Sequence, residues 1–352
     1  MKPLKIAVIG AGLIGKSHIA LINQSVHCEL AAIVDPAPEA KDLAQSMNAS
    51  WYVSLDALLS GGSNAEKVDG VIIASPNQLH VAQALACLTA NIPCLIEKPV
   101  ADNLVDGKRL LEAVKQTNIP MLVGHHRMHS RIMTKAKQLI NDGALGDLVS
   151  VNGSALFYKP DDYFEKGPWR TKPGGGPILI NMIHEVGNLR YLCGEISSVL
   201  AIASSARRGF AVEDTAAILF AFSNGMVGTF TLSDTAASPC SWEQTSKENK
   251  SYASYDDENC YHIAGTQGSL SIPTMRLKQY GTEQKKSWWE PFECATVSIE
   301  DQDPLVLQLN HFCKVILREA LPLVTVHDGL ENLRVTEAIA DAARSGQCIQ
   351  LN

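Results

Sequence analysis

The chain has 352 residues, of which 46% are hydrophobic and 19% charged, a balance that supports a sizeable core and excludes an intrinsically disordered polypeptide. Thirty Lys and Arg against 37 Asp and Glu leave a formal charge of -7, so neither nucleic acid nor an anionic membrane surface is an expected partner. No apolar run approaches the roughly 18 residues a spanning helix needs, and Lys2 and Lys5 lead into a short apolar run without a signal-peptide core, so the expected location is the cytoplasm. Nine scattered cysteines with no CxxC pair read as buried reduced thiols rather than as a disulfide framework or a structural zinc site.

The first third alternates short Val- and Ile-rich runs with stretches of helical spacing. Strands are expected at Lys5 to Ile9, Leu30 to Val34, Val71 to Ala74, Cys94 to Ile96 and Met121 to Val123. Helices are expected at Ile14 to Asn23, Ala37 to Met47, Gln78 to Thr89 and Val105 to Gln116, with a turn over Gly61 to Asn64. This order specifies a doubly wound parallel sheet with helices on both faces. Beyond Gly124 an amphipathic stretch to Asn141 leads into strands at Leu148 to Leu156, Ser197 to Ala203, Thr215 to Phe222 and Val227 to Leu232. Ser223-Asn224-Gly225 between the last two predicts a tight hairpin with two positive φ angles. Thr266-Gln267-Gly268 joins Tyr261 to Ala264 with Leu270 to Ile272, giving a mostly antiparallel sheet with helices on one face, and Ser246 to Asn259 reads as a solvated loop. The expected fold class is therefore α/β, with domains over residues 1–123 and 124–352.

Gly10-Ala11-Gly12-Leu13-Ile14-Gly15 places a GxGxxG directly after a strand and at the mouth of a helix, where backbone N–H groups and the positive end of the helix dipole can hold a pyrophosphate. Asp35 closes the second strand 20 residues after Gly15, the spacing at which a carboxylate meets the adenosine ribose hydroxyls. Its charge would repel a 2′-phosphate, and Pro36, Ala37 and Pro38 follow it rather than Arg or Lys, so NAD is expected over NADP.

Five landmarks now stand in order: Gly10 to Gly15; Ala74-Ser75-Pro76-Asn77 with His80; Glu97-Lys98-Pro99; Gly174-Gly175-Gly176 with His184; and Glu213-Asp214-Thr215. Over nearly its whole length the chain resembles the Gfo/Idh/MocA oxidoreductases, the group of glucose-fructose oxidoreductase and myo-inositol dehydrogenase. The resemblance implies an NAD-binding domain followed by a substrate-binding α/β domain whose open sheet builds a homo-oligomer, a dimer or tetramer. It implies that Ser75, Pro76, Asn77 and His80 serve the nicotinamide side of the cofactor site with Glu97 and Lys98, and that Pro99 follows a cis bond. Asn77 has a plain alternative as a helix cap, and His80 as a satisfied core histidine.

Lys98 follows an apolar parallel strand, so it stands beyond a carboxyl end, where open α/β sheets bind ligands and an ammonium can stabilise developing alkoxide charge. Pro177 opens a helix running to about Cys193, on which Asn181, His184 and Asn188 form a polar stripe among apolar residues. A neutral His184 can take the substrate hydroxyl proton as hydride leaves. Many members of the family carry an aspartate four residues before this histidine, and that position is Ile180 here, which leaves Asn181 to orient a hydroxyl without acting as a base. Arg127, Lys159, Trp169 and Arg170 add aromatic faces and cationic donors suited to a sugar or cyclitol ring or to a carboxylate. His125, His126 and His129 lack carboxylates at ligand spacing, so no metal is expected. The expected activity is hydride transfer between NAD and a secondary alcohol or ketone of a sugar, sugar acid or cyclitol, with Lys98 and His184 catalytic. A dihydrodiol or other ring-carboxylate dehydrogenase and a non-catalytic NAD- or sugar-sensing regulator are the alternatives.

Overall fold

The computed structural model describes residues 2–61, 67–281 and 283–351, so the turn expected at Gly61 to Asn64 lies, beyond Gly61, outside the described residues. The chain forms two compact units. One comprises the chain up to His129 with Pro304–Leu333, the other Ser130–Asp303 with the chain from Arg334 onward. Sequence reading expects one crossing, between residues 123 and 124, whereas the chain passes between these units three times, after His129, Asp303 and Leu333.

In the first unit six strands, β1 (Leu4–Ile9), β2 (Cys28–Val34), β3 (Ser50–Tyr52), β4 (Gly70–Ile73), β5 (Cys94–Glu97) and β6 (Met121–Gly124), form one parallel sheet in the order β3-β2-β1-β4-β5-β6. Connecting helices are α1 (Leu13–Gln24), α2 (Pro38–Ser46), α3 (Leu55–Ser60), α4 (Asn77–Thr89) and α5 (Leu104–Lys115). The central strands are near-continuous apolar runs because both faces are covered: Val71, Ile72, Ile73, Leu95 and Ile96 have no exposed surface. The three-residue β3 and the six-residue α3 escape sequence reading, since neither is long enough to show a period.

The second unit begins with α6 (Arg131–Asn141), whose Ser130 side chain accepts the N–H groups of Ile132 and Met133. It continues through β7 (Leu148–Leu156), α7 (Asp161–Glu165), a π-helical turn at Ile178–Met182, and α8 (Ile183–Cys193). Then follow β8 (Ile196–Ser204), β9 (Thr215–Phe222), β10 (Val227–Ser233), α9 (Trp242–Thr245), β11 (Tyr261–Gly265), β12 (Gly268–Ile272), β13 (Arg276–Gln279) and β14 (Glu293–Thr296). Helix α10 (Pro304–Ile316) belongs to the first unit, where Leu309, Phe312 and Cys313 pack with Ile6, Ile19 and Ile22, and α11 (Val326–Ser345) runs from the first unit into the second before β15 (Ile349–Gln350).

The nine-stranded sheet of the second unit has the order β14-β13-β12-β11-β7-β10-β9-β8-β15, parallel only between β7 and β10. The β9–β10 hairpin differs from expectation. Only Gly225 takes a positive φ, at 86°, and its N–H closes a turn onto the Phe222 carbonyl at 3.0 Å. Asn224 works through its side chain instead, donating to the Cys193 carbonyl at 2.9 Å and accepting from the Met226 N–H.

Candidate active site

The first turn of the parallel sheet is made by steric necessity. Gly10 holds φ at 88°, and a Cβ there would stand 2.6 Å from the Ala74 carbonyl oxygen. At Gly15 a Cβ would collide with the Gly10 carbonyl, so glycine alone lets α1 lie this close to β1 and β4. Gly12 differs: nothing lies within 4 Å of a Cβ built on it. The space in front of Gly12 is open, Leu13 beside it is 88% exposed, and α1 starts there with no side-chain cap bond, which leaves its first N–H groups available. That is the geometry of an anion cradle. Asp35 borders it, one carboxylate oxygen accepting the Ala11 N–H at 2.7 Å and the other the Ala37 N–H at 2.8 Å. The carboxylate is thereby fixed between the ends of β1 and β2, with lone pairs left for ribose hydroxyls. Ile14 is half-buried in the first turn of α1.

Two further loops stand on the same carboxyl edge. Ser75 follows β4 and donates to Gln83 at 2.6 Å, and Pro76 precedes Asn77, which opens α4 without a side-chain cap bond, so the capping role open to it from sequence is not taken. His80 is 1% exposed and spans two loops: its Nδ1 lies 2.8 Å from the Pro99 carbonyl oxygen and its Nε2 2.9 Å from that of Ser75. Its ring therefore braces the Ser75 loop against the Lys98–Pro99 turn, whose peptide bond is cis. Lys98 itself is half-buried directly after β5.

Glu97, the last residue of β5, is buried, and its Oε1 meets His18 Nε2 of α1 at 2.8 Å while its Oε2 accepts the Lys98 N–H at 3.3 Å. Burial pushes the Glu97 carboxyl up, but the His18 hydrogen bond and charge, with His126 and Lys98, more than compensate and leave its pKa lowered. Sequence reading passed over His18. The available signal was a histidine one helical turn after Gly15, on the face that the glycine brings to the sheet. Arg127 is buried in a 3-10 turn, His126–His129, after β6.

In the second unit the polar group centres on Lys159, just beyond β7. It is 8% exposed, donates to Asn181 Oδ1 at 2.7 Å, and lies 3.9 Å from the Asp234 carboxylate and over the rings of Phe157 and Tyr163. Burial pulls its pKa down to about 8, against the opposing pull of Asp234 and Glu243. Arg170 stacks on Tyr163 at 3.9 Å and donates to its carbonyl at 2.6 Å, while Trp169 is 53% exposed. Glu213 accepts the Ile178 N–H at 2.8 Å, closing the start of the helical segment that carries Asn181 and His184.

The polar stripe expected along that segment is divided. The π-helical turn widens the spacing before Ile183, and Asn188, with no exposed surface, donates to Tyr261 at 2.8 Å while the Tyr261 hydroxyl bonds the buried Glu185 carboxylate. The Asn188 amide nitrogen is thus taken up by protein. Asn181 engages Lys159, and His184 is buried at the start of α8. Asp234, the charge partner of Lys159 and of Arg208 at 2.8 Å, gave no sequence signal, being 75 residues from the lysine it faces.

A parallel sheet ordered in this way, with a glycine cradle at its first turn and an acid closing the second strand, defines a dinucleotide-binding oxidoreductase fold. The chain belongs to the Gfo/Idh/MocA oxidoreductase family: residues 4–125 match its NAD-binding Rossmann-fold domain and residues 133–271 its C-terminal domain. Among curated relatives, an uncharacterized oxidoreductase of Streptococcus pneumoniae is 28% identical over 197 residues, covering 54% of this chain and 50% of that protein. For this and other strongly matching relatives the chain spans only 50% to 62% of their length. The scyllo-inositol 2-dehydrogenase (NAD(+)) of Bacillus subtilis is 25% identical over 360 residues, covering 99% of this chain and 96% of that one. The fold matches a Lactobacillus casei scyllo-inositol dehydrogenase, solved with NAD(H) and scyllo-inositol, at a TM-score of 0.78 and 20% identity, over 99% of each chain. No helix among the described residues is long and apolar enough to cross a membrane.

Proposed function

We propose that the protein moves hydride between NAD and a secondary alcohol or ketone of a sugar, sugar acid or cyclitol. The observation that carries this reading is the shared edge of the first unit: Lys98 follows β5 on the same carboxyl side as the open cradle at Gly12. NAD, when bound, supplies the hydride acceptor. The cradle of Gly10, Gly12 and Gly15 takes the pyrophosphate, and Asp35 takes the ribose hydroxyls. The Lys98 ammonium hydrogen-bonds the reacting oxygen and offsets its developing negative charge. His184 accepts the hydroxyl proton during oxidation and returns it during reduction. Lys159, Asn181, Arg170, Trp169 and Arg127 orient the remaining hydroxyls. Because Lys159 and Arg170 both lie on the Tyr163 ring, an anionic ring substrate is the variant of this reading to compare directly with neutral ones.

The protein works in the cytoplasm as a homo-oligomer formed by the open face of the nine-stranded sheet, where Ile202, Leu219 and Val227 are 75%, 50% and 57% exposed. Leu219→Arg is expected to dissociate it in sedimentation velocity, and an unchanged sedimentation coefficient would contradict this interface. The activity itself is tested by measuring NADH formation against a panel of neutral sugars, inositols, sugar acids and ring dihydrodiols. Turnover of at least one polyol is expected, while tight NAD binding with no turnover across the panel would support a sensing role instead.

A further inference from the structure

His18 and Glu97 form a buried imidazole–carboxylate pair in the first unit, with side-chain exposures of 1% and 7%. Burying a carboxylate away from water is unfavourable unless its lone pairs are used, and an apolar pair of the same volume would hold α1 against β5 at least as well. What an apolar pair would not do is fix an orientation. Glu97 is held from three sides: by His18 at 2.8 Å, by the N–H of Lys98 at 3.3 Å, and by β6, where Gly124 is its register partner and a Cβ on Gly124 would stand 3.0 Å from the carboxylate carbon. The space for this carboxylate is therefore built into the neighbouring strand.

The two ends of the pair lie on the two elements that matter. His18 is one turn beyond Gly15 on α1, the helix whose N-terminus faces the cradle, and Glu97 is the residue before Lys98. Gly15 lets α1 approach closely enough for the imidazole to reach across to β5.

We propose that His18 is a positioning residue for Lys98: through the Glu97 carboxylate it ties the phosphate-facing helix to the peptide that carries the amine, and so sets where that amine stands. This rests on the reading of Lys98 as the group that holds the reacting oxygen.

The test compares His18→Leu, His18→Gln and Glu97→Gln in the full chain. Three readouts are taken: kcat with NAD and the panel polyol that yields most NADH, NAD affinity by fluorescence titration, and the rate at which trinitrobenzenesulfonate labels Lys98, read by peptide mass. His18→Leu is expected to lower kcat by roughly tenfold to a hundredfold, the scale of a misplaced catalytic group. NAD affinity should stay within about threefold, so the loss falls on turnover rather than binding. The Lys98 labelling rate should change, and His18→Gln, whose amide N–H can reach the same carboxylate, should recover most of both. A folded His18→Leu with wild-type kcat overturns the proposal. So does a parallel loss of kcat and NAD affinity that His18→Gln does not relieve, because that is the mark of a merely structural pair. Should His18→Leu fail to fold, wild-type kcat in Glu97→Gln has the same force. If the wild type turns over no polyol, the activity reading fails separately, and the Lys98 labelling rate decides alone, with an unchanged rate in His18→Leu and Glu97→Gln overturning the inference.

Discussion

At Gly12 the protein places chemistry by leaving something out, whereas at Lys159 it places chemistry by crowding something in. The cradle of the first unit is backbone: two glycines fit because a Cβ would strike a carbonyl, and the third faces open space. The polar group of the second unit is made of side chains from the segment after β7, α7, the π-helical turn and the segment after β10, drawn together over long sequence separations. A site built from backbone is rigid and costs little beyond the glycines. One built around a buried amine lowers stability to hold a reactive group in place. The two regions should therefore respond to substitution with opposite relations between stability and function.

The largest effects are expected at the cradle, where two neighbouring glycines separate folding from binding. Gly15→Val pushes α1 off the sheet, so both the melting temperature and NAD binding should be lost. A Cβ at Gly12 meets no protein atom within 4 Å, so in Gly12→Ala the melting temperature should hold while NAD affinity falls by about tenfold or more, since a side chain there stands where phosphate must approach. Calorimetry with isothermal titration checks both, and full NAD affinity in Gly12→Ala would break the contrast.

At Lys159 the relation should reverse. Its folded pKa of about 8 lies below the ordinary 10.5, so between those values the unfolded chain binds more protons than the folded one and stability rises with pH. Below pH 8 the penalty of the buried charge is fully present. Because Asp234 keeps its partner Arg208 at 2.8 Å, Lys159→Met should stabilise the protein at pH 7 by roughly 1–3 kcal/mol while reducing turnover, and the gain should shrink as pH climbs from 8 toward 10.5. Denaturant melts across that range test it; a destabilised Lys159→Met at pH 7 would show that the amine is held by its partners at no cost.

The same contrast governs what the sequence makes legible. The cradle, Asp35 and the turn after β5 are local in the chain, so spacing alone fixes them, and the order of apolar runs yields the parallel sheet. Non-local partners are silent: nothing marks Asp234 as the neighbour of Lys159, or Tyr261 as the group that takes Asn188 out of the expected stripe. The hairpin at Asn224-Gly225 falls between, its position set by the dipeptide and its geometry by the Cys193 carbonyl that Asn224 reaches. The return of α10 to the first unit is likewise a matter of packing, decided by Phe312 and Leu309 against α1.

The most direct measurement of the whole account is the Lys98→Ala variant, assayed for NADH formation and NAD affinity side by side with the wild type. Turnover should fall by roughly a hundredfold or more with NAD binding nearly intact, because the ammonium acts on charge that appears only in the transition state. Undiminished turnover in that variant would contradict the central claim.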